Sequence, residues 1–211
     1  MNSMTPDSPV PAESGTDVFK IFALSGYAGA GKTTAAGMLQ AISKGELAVR
    51  SFASPLKTML FKMNPIVDAE TGLRLQEALR LHGEQHVKAY FPEYRRLMQG
   101  MNSIKDFDTD FYGRLGAESV EALIAGDHFH GVIFDDMRFP SELRALERID
   151  GAELTTIRLG LPATDEEGAL DMHVTETALD AHNTDYIVVA ETLNELQEEL
   201  VHIYREVMNV A

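Results

Sequence analysis

The stretch VFKIFALSGYAGAGKTT, residues 18–34, decides how this chain folds. Its first part, 18–25, is short, apolar and β-compatible, and it stops at a glycine, which predicts a buried strand. The next part, Gly26-Tyr27-Ala28-Gly29-Ala30-Gly31-Lys32-Thr33, fits G-x-x-x-x-G-K-[ST] at every fixed position. From Lys32 onward, Ala35, Ala36, Met38, Leu39 and Ile42 recur at helical spacing and predict a helix over 32–43, modestly weakened by Gly37. A strand, a glycine-rich turn and a helix N-terminus in that order make an anion site. Backbone N–H groups turn inward around a polyphosphate, glycines permit the close approach, and the helix end favours negative charge. The pattern assigns the whole loop and Thr34 to nucleotide phosphates. Lys32 reaches the β- and γ-phosphates, the Thr33 hydroxyl is placed for Mg²⁺, and Thr34 lies near the α-phosphate. A chance glycine-rich turn is the bland alternative, and the strand–helix setting argues against it.

Working outward, 47–53 and 131–135 read as further strands, and 153–159 and 185–190 as two more. Ser54-Pro55 opens a helix, with serine expected as N-cap and proline at the first helical position. Residues 70–126 read as helix with breaks at Pro92 and in the polar stretch 102–110, and 140–149 reads as a helix stopped near Gly151. Thr192 and Glu195 supply the T-x-x-E box of a last helix running to about Met208. Strands alternating with helices predict a three-layer α/β/α domain with a mainly parallel sheet over 18–211. The helix-rich block at about 55–126 interrupts the alternation as a lobe for an acceptor or a lid. The Gly-, Pro- and acid-containing stretch 160–174 reads as a lid-like mobile loop, and residues 1–17, rich in Pro, Ser and acid, as a disordered tail.

Bulk properties narrow the function. The 211 residues carry 33 acidic and 18 basic side chains, a formal charge of −15, which argues against nucleic acid as a partner. A small anionic ligand in a locally basic pocket remains compatible with that balance. The absence of cysteine removes disulfides, thiolate metal sites and cysteine nucleophiles, and suits a reducing cytoplasm. No run approaches the roughly 18 apolar residues of a membrane span, and the start of the chain lacks a signal-peptide pattern.

A second chemical signal is VIFDD, 132–136, an apolar strand ending in two carboxylates. A phosphate-loop site needs a carboxylate at a neighbouring strand end to hold Mg²⁺, and either Asp135 or Asp136 can serve. A simple strand-end turn is the alternative. Arg138 follows, suited to forking onto an acceptor phosphate, or else to a surface ion pair. Lys57, Arg95, Arg96 and Arg158 are further cationic candidates which, taken by type alone, serve a solvated face equally well. His82 and His86 stand at i, i+4 without an H-E-x-x-H setting and read as a solvated helix face. His128 and His130 read as structural.

Several segments together are similar to the deoxynucleoside monophosphate kinases of tailed bacteriophages: FALSGYAGAGKTT (22–34), SFASPLKTML (51–60), YRRLMQGM (94–101), VIFDDMRFPSELRAL (132–146), HVTETALD (173–180) and TLNELQEEL (192–200). They keep family order across nearly all of the chain after residue 17. The phosphate loop alone is generic; D-x-R-F-P-x-E and [ST]-E-T-A-L-D are more specific. The resemblance implies transfer of the γ-phosphoryl group from ATP·Mg²⁺ to a deoxynucleoside 5′-monophosphate, for nucleotide supply in phage DNA synthesis, and is consistent with a homodimer. By the same resemblance, Asp136 and Arg138 are the D and R of D-x-R-F and join Lys32 as catalytic residues. Lys57, Arg95, Arg96 and Gln99 fall in the acceptor region, with Arg158 and Glu176 as further substrate contacts. The chain departs from the family in having Gly100-Met101-Asn102 where L-G-T is common. It also has Arg158-Leu159-Gly160-Leu161-Pro162 where a second arginine usually precedes the proline, which puts acceptor choice and lid chemistry in question.

Rival readings are a kinase of another phosphorylated small molecule, such as a phosphomevalonate-like acceptor, and a partner-dependent NTPase switch. No N-K-x-D guanine motif is present, since Asn102-Ser103-Ile104-Lys105-Asp106 has the wrong spacing. A non-catalytic binding module fits poorly with intact Lys32, Thr33 and Asp136.

Overall fold

A computed structural model describes residues 18–27, 29–160, 178–179 and 182–210. Strand β1 (Phe19–Gly26) is buried on both faces. Alternate residues divide between two cores, as the period of two requires. Phe19, Ile21 and Ala23 pack with Val132, Phe134, Leu143 and Leu146 on one side, while Phe22 and Leu24 pack with Leu39, Ile157, Leu200 and Ile203 on the other. The remaining sheet strands are β2 (Leu47–Arg50), β5 (Gly131–Phe134), β6 (Ala152–Gly160) and β7 (Tyr186–Val189), in the spatial order β2-β5-β1-β6-β7. Every pairing in that sheet is parallel. Helices α1 (Lys32–Ile42) and α7 (Leu193–Met208) cover one face, and α5 (Phe111–Gly126) and α6 (Pro140–Leu146) cover the other. This is the expected α/β/α sandwich with a parallel sheet.

Between β2 and α5 the chain builds α2 (Ser54–Met63), the hairpin β3 (Ile66–Asp68) and β4 (Leu73–Arg74), α3 (Leu75–Tyr90) and α4 (Pro92–Asn102). Leu60, Val67, Leu75, Ala78, Val87 and Tyr94 give this block a small core of its own. The hairpin was not expected. Its turn is fixed by Asp68, whose carboxylate accepts from the Glu70 N–H and the Thr71 hydroxyl. Helix α3 breaks at Gly83, whose φ of 76° and ψ of 163° belong to glycine alone.

Three local expectations need correction. The strand expected over 47–53 ends at Arg50, because the chain turns there to meet a carboxylate from β5. Ser54 does not cap α2: it is the first helical residue, Ala53 occupies the N-cap, and no side chain on α2's own segment caps it. The helix expected over 140–149 ends at Leu146. At α7 the Thr192 hydroxyl accepts from the Glu195 N–H as expected, while the Glu195 carboxylate reaches one residue further back, to the Glu191 N–H. The 161–174 part of the lid-like loop, the tail 1–17, Ala28 and Glu176 lie outside the described residues. Among the described residues no helix is long and apolar enough to cross a membrane.

Candidate functional site

The loop between β1 and α1 is positioned by glycine geometry. Gly26 has φ 131°, and a Cβ there would lie 2.2 Å from the Leu159 carbonyl oxygen on β6, so no other residue lets β1 turn so close to its neighbour. Gly31 sits at the N-cap of α1 in the left-handed region with φ 83°. The Lys32 ammonium folds back and donates to the carbonyls of Gly26 and Tyr27 at 2.7 and 2.8 Å. A cation held on the carbonyls of a loop with this sequence pattern is placed to exchange them for phosphate oxygens. Arg158 lies opposite Ser25 on β6, with its guanidinium 5.3 Å from the centre of the Tyr27 ring. It therefore stands beside the phosphate loop.

The two aspartates at the end of β5 part company. Asp135 meets α1, where its Oδ2 accepts from the Thr33 hydroxyl at 3.3 Å. Burial first, and then the neighbouring Asp136 charge, raise its pKa, so a cation there would relieve a strained ionisation. Asp136 turns the other way. It accepts from the Ser51 hydroxyl at 2.6 Å and from the backbone N–H groups of Phe52 and Ala53 at 2.8 and 3.1 Å. It thus pins the turn that leads into α2, from just beyond the end of β5. The sequence reading favoured Asp136 as the main functional carboxylate and named both for metal. Among the described residues Asp135 is the carboxylate bonded to Thr33, while Asp136 holds the β2–α2 turn and also lines the cavity beside it. Hard oxygens from Thr33 and Asp135 converging beside the loop suit Mg²⁺, which keeps several waters and takes few protein ligands.

Next to this turn lies a cavity of about 390 Å³. Phe52, Ala53 and Leu56 from the start of α2 form one wall, and Arg95, Met98, Gln99 and Asn102 from α4 another. Tyr112 of α5 and Asp136, Arg138, Phe139 and Glu142 close it. Arg95, Gln99 and Asn102 share a face because they are spaced by four and three. Arg138 also lines a narrow cleft with Ser25, Gly26, Lys32 and Arg158, so one residue borders both the phosphate loop and the cavity.

Glu142 is almost fully buried, and its Oε2 accepts from the N–H groups of Arg138 and Phe139 at 2.7 and 3.0 Å. Burial outweighs those two bonds and pushes its pKa up to about 7.

Among the cations named from sequence, Arg95 and Arg138 reach the cavity and Lys32 and Arg158 the loop. Lys57 pairs with Glu84 at 2.8 Å, tying α2 to α3. Burial lowers the pKa of Lys57, and the hydrogen bond and charge of Glu84 more than offset it, so the net shift is upward. Arg96 is exposed and forks onto Glu93 at 2.6 and 2.8 Å, away from the cavity lining. Thr34 is exposed on the first turn of α1. Sequence reading assigned no role to Tyr112, Asn102, Phe139 or Glu142. For Glu142 a signal existed: a glutamate at the third position of a helix begun by Pro140 is half of a capping box. Tyr112 offered none, because its neighbours come from distant elements.

No family model matches the chain, and no curated protein does. Solved structures that align with it include a sugar kinase from a Janibacter species, 14% identical over 92% of this chain and 96% of that one, with a TM-score of 0.46. Another is the shikimate kinase of Bacteroides thetaiotaomicron, 17% identical over 91% of this chain and 99% of that one, with a TM-score of 0.38.

Proposed function

We propose that this chain transfers the γ-phosphoryl group of ATP to a deoxynucleoside 5′-monophosphate, giving ADP and the deoxynucleoside diphosphate. The observation that carries this reading is Arg138, shared by the loop-side cleft and the 390 Å³ cavity. A donor phosphate in the loop and an acceptor phosphate in the cavity then meet at one guanidinium. The cavity has room for a base and its sugar, with two arginines for the phosphate. The D-x-R-F-P-x-E resemblance supplies the class of acceptor.

Phosphoryl transfer needs positioning and charge neutralisation more than covalent chemistry. The loop amides hold the donor, and Lys32 leaves its two carbonyl partners for the transferring phosphoryl oxygens. Mg²⁺, held by Thr33 and Asp135, would supply further neutralisation of the polyphosphate. Arg138 and Arg95 hold the acceptor phosphate. Asp136 keeps the start of α2 in register with the end of β5.

Coupled ADP release tests the reading, with ATP·Mg²⁺ and each of dAMP, dGMP, dCMP, dTMP and 5-hydroxymethyl-dCMP, beside ribonucleotides and a blank without acceptor. Turnover above the blank with one or more deoxynucleotides is expected. A flat response with every nucleotide, while ATP still binds, overturns it in favour of another phosphorylated acceptor.

A further inference from the structure

The Tyr112 side chain is 5% exposed, and its hydroxyl has no hydrogen-bond partner among the described residues. Buried hydroxyls rarely go unbonded, because the lost water is not replaced. A phenylalanine would fill the same space without that cost, so packing does not explain the oxygen. Its position follows from close helix contact. At Gly113 an added Cβ would lie 2.8 Å from the Ser141 carbonyl, so α5 and α6 approach closely enough to bring Tyr112 beside Glu142. The two groups sense each other electrostatically, and both line the cavity. Glu142 spends its Oε2 on two backbone N–H groups, while its Oε1 has no hydrogen-bond partner among the described residues. The α5–α6 wall therefore brings a phenol O–H and a carboxyl oxygen to one cavity.

We propose that Tyr112 and Glu142 read the polar edge of the acceptor's base, making Tyr112 a specificity-determining residue; this rests on the acceptor reading above. Arg95 and Arg138 already offer the cavity two cations for the phosphate end. The uncharged polar end of the acceptor is left for the α5–α6 wall. Bases present a donor beside an acceptor along one edge, matching a carboxyl oxygen next to a phenol O–H.

The test compares wild type, Tyr112→Phe and Glu142→Gln on the deoxynucleotide plate, with melting temperatures and the ATP KM measured in parallel. Tyr112→Phe is expected to melt at or above the wild-type temperature, to keep the ATP KM, and to raise acceptor KM about tenfold with a smaller effect on kcat. Glu142→Gln, which replaces an accepting oxygen by a donating amide, is expected to change the ranking of amino-bearing against keto-bearing bases. Acceptor KM values within twofold of wild type for Tyr112→Phe overturn the inference while leaving the kinase reading intact. A 2′,3′-dideoxy acceptor separates base from sugar: if the penalty of Tyr112→Phe vanishes with it, the hydroxyl reads the 3′-OH and the base assignment is wrong. A wild type that turns over no nucleotide sinks the kinase reading and the inference with it.

Discussion

Lys32 donates to two carbonyls of the loop that, on the proposed reading, holds the transferring phosphate. Lys32→Ala is expected to lower turnover by about 10²–10³-fold or more. Coupled ADP release checks it, and near wild-type turnover removes the role given to Lys32. Glu142 is expected to show itself in stability. Its folded pKa of about 7 lies above the ordinary 4.5, so between those values the folded chain keeps a proton that the unfolded chain has released. Stability is then greatest at the acid end of that window, falls as pH rises through it, and levels off above about 7. The span is about 3 kcal/mol at 1.36 kcal/mol per pH unit. Glu142→Gln should flatten that slope in denaturant titrations run from pH 4.5 to 8; a variant as steep as wild type places the proton elsewhere. Arg138→Ala is expected to cut kcat/KM for the acceptor by about 10²-fold, the worth of a charge-assisted hydrogen bond, with a much smaller effect on the ATP KM.

At the scale of elements, what was legible in the sequence is what neighbours in sequence decide. The β1–loop–α1 unit follows from an apolar run, fixed glycines and a helical repeat, all within 18–43, and β5 follows from an apolar run ending in acid. What depends on distant partners was not legible. Ser54 is the expected kind of cap residue, yet it is the first helical residue, and the turn before α2 is held by Asp136, more than eighty residues downstream. The β3–β4 hairpin is too short for a periodic signal. Tyr112 gains its setting from α6, and Arg96 pairs with Glu93 one turn away. The break in α3 is also a tertiary choice, made where Gly83 allows it. Gly83→Ala should cost about 1–3 kcal/mol, the price of that backbone region for a residue with a Cβ. Hydrogen exchange should show the loss in 66–90 before β1; equal loss in both would mean that the lobe and the sheet open together.

At the scale of the whole molecule, a chain of formal charge −15 sets Lys32, Arg138 and Arg158 around one cleft and Arg95 with Arg138 in the adjoining cavity. On the proposed reading, the surface charge opposes the approach of nucleotides, and the local cations reverse that where the phosphates must stop. The bond from Asp136 to the Ser51–Ala53 turn has a further consequence. It welds the first wall of the cavity to the central sheet, whereas α4 belongs to a block with its own small core. Met98 and Met101 of α4 pack against both that block and the main core, so the second wall moves with either. On the proposed reading, Gln99 and Asn102, polar and spaced along one face of α4, are the positions where a lineage can recarve the acceptor end without emptying either core.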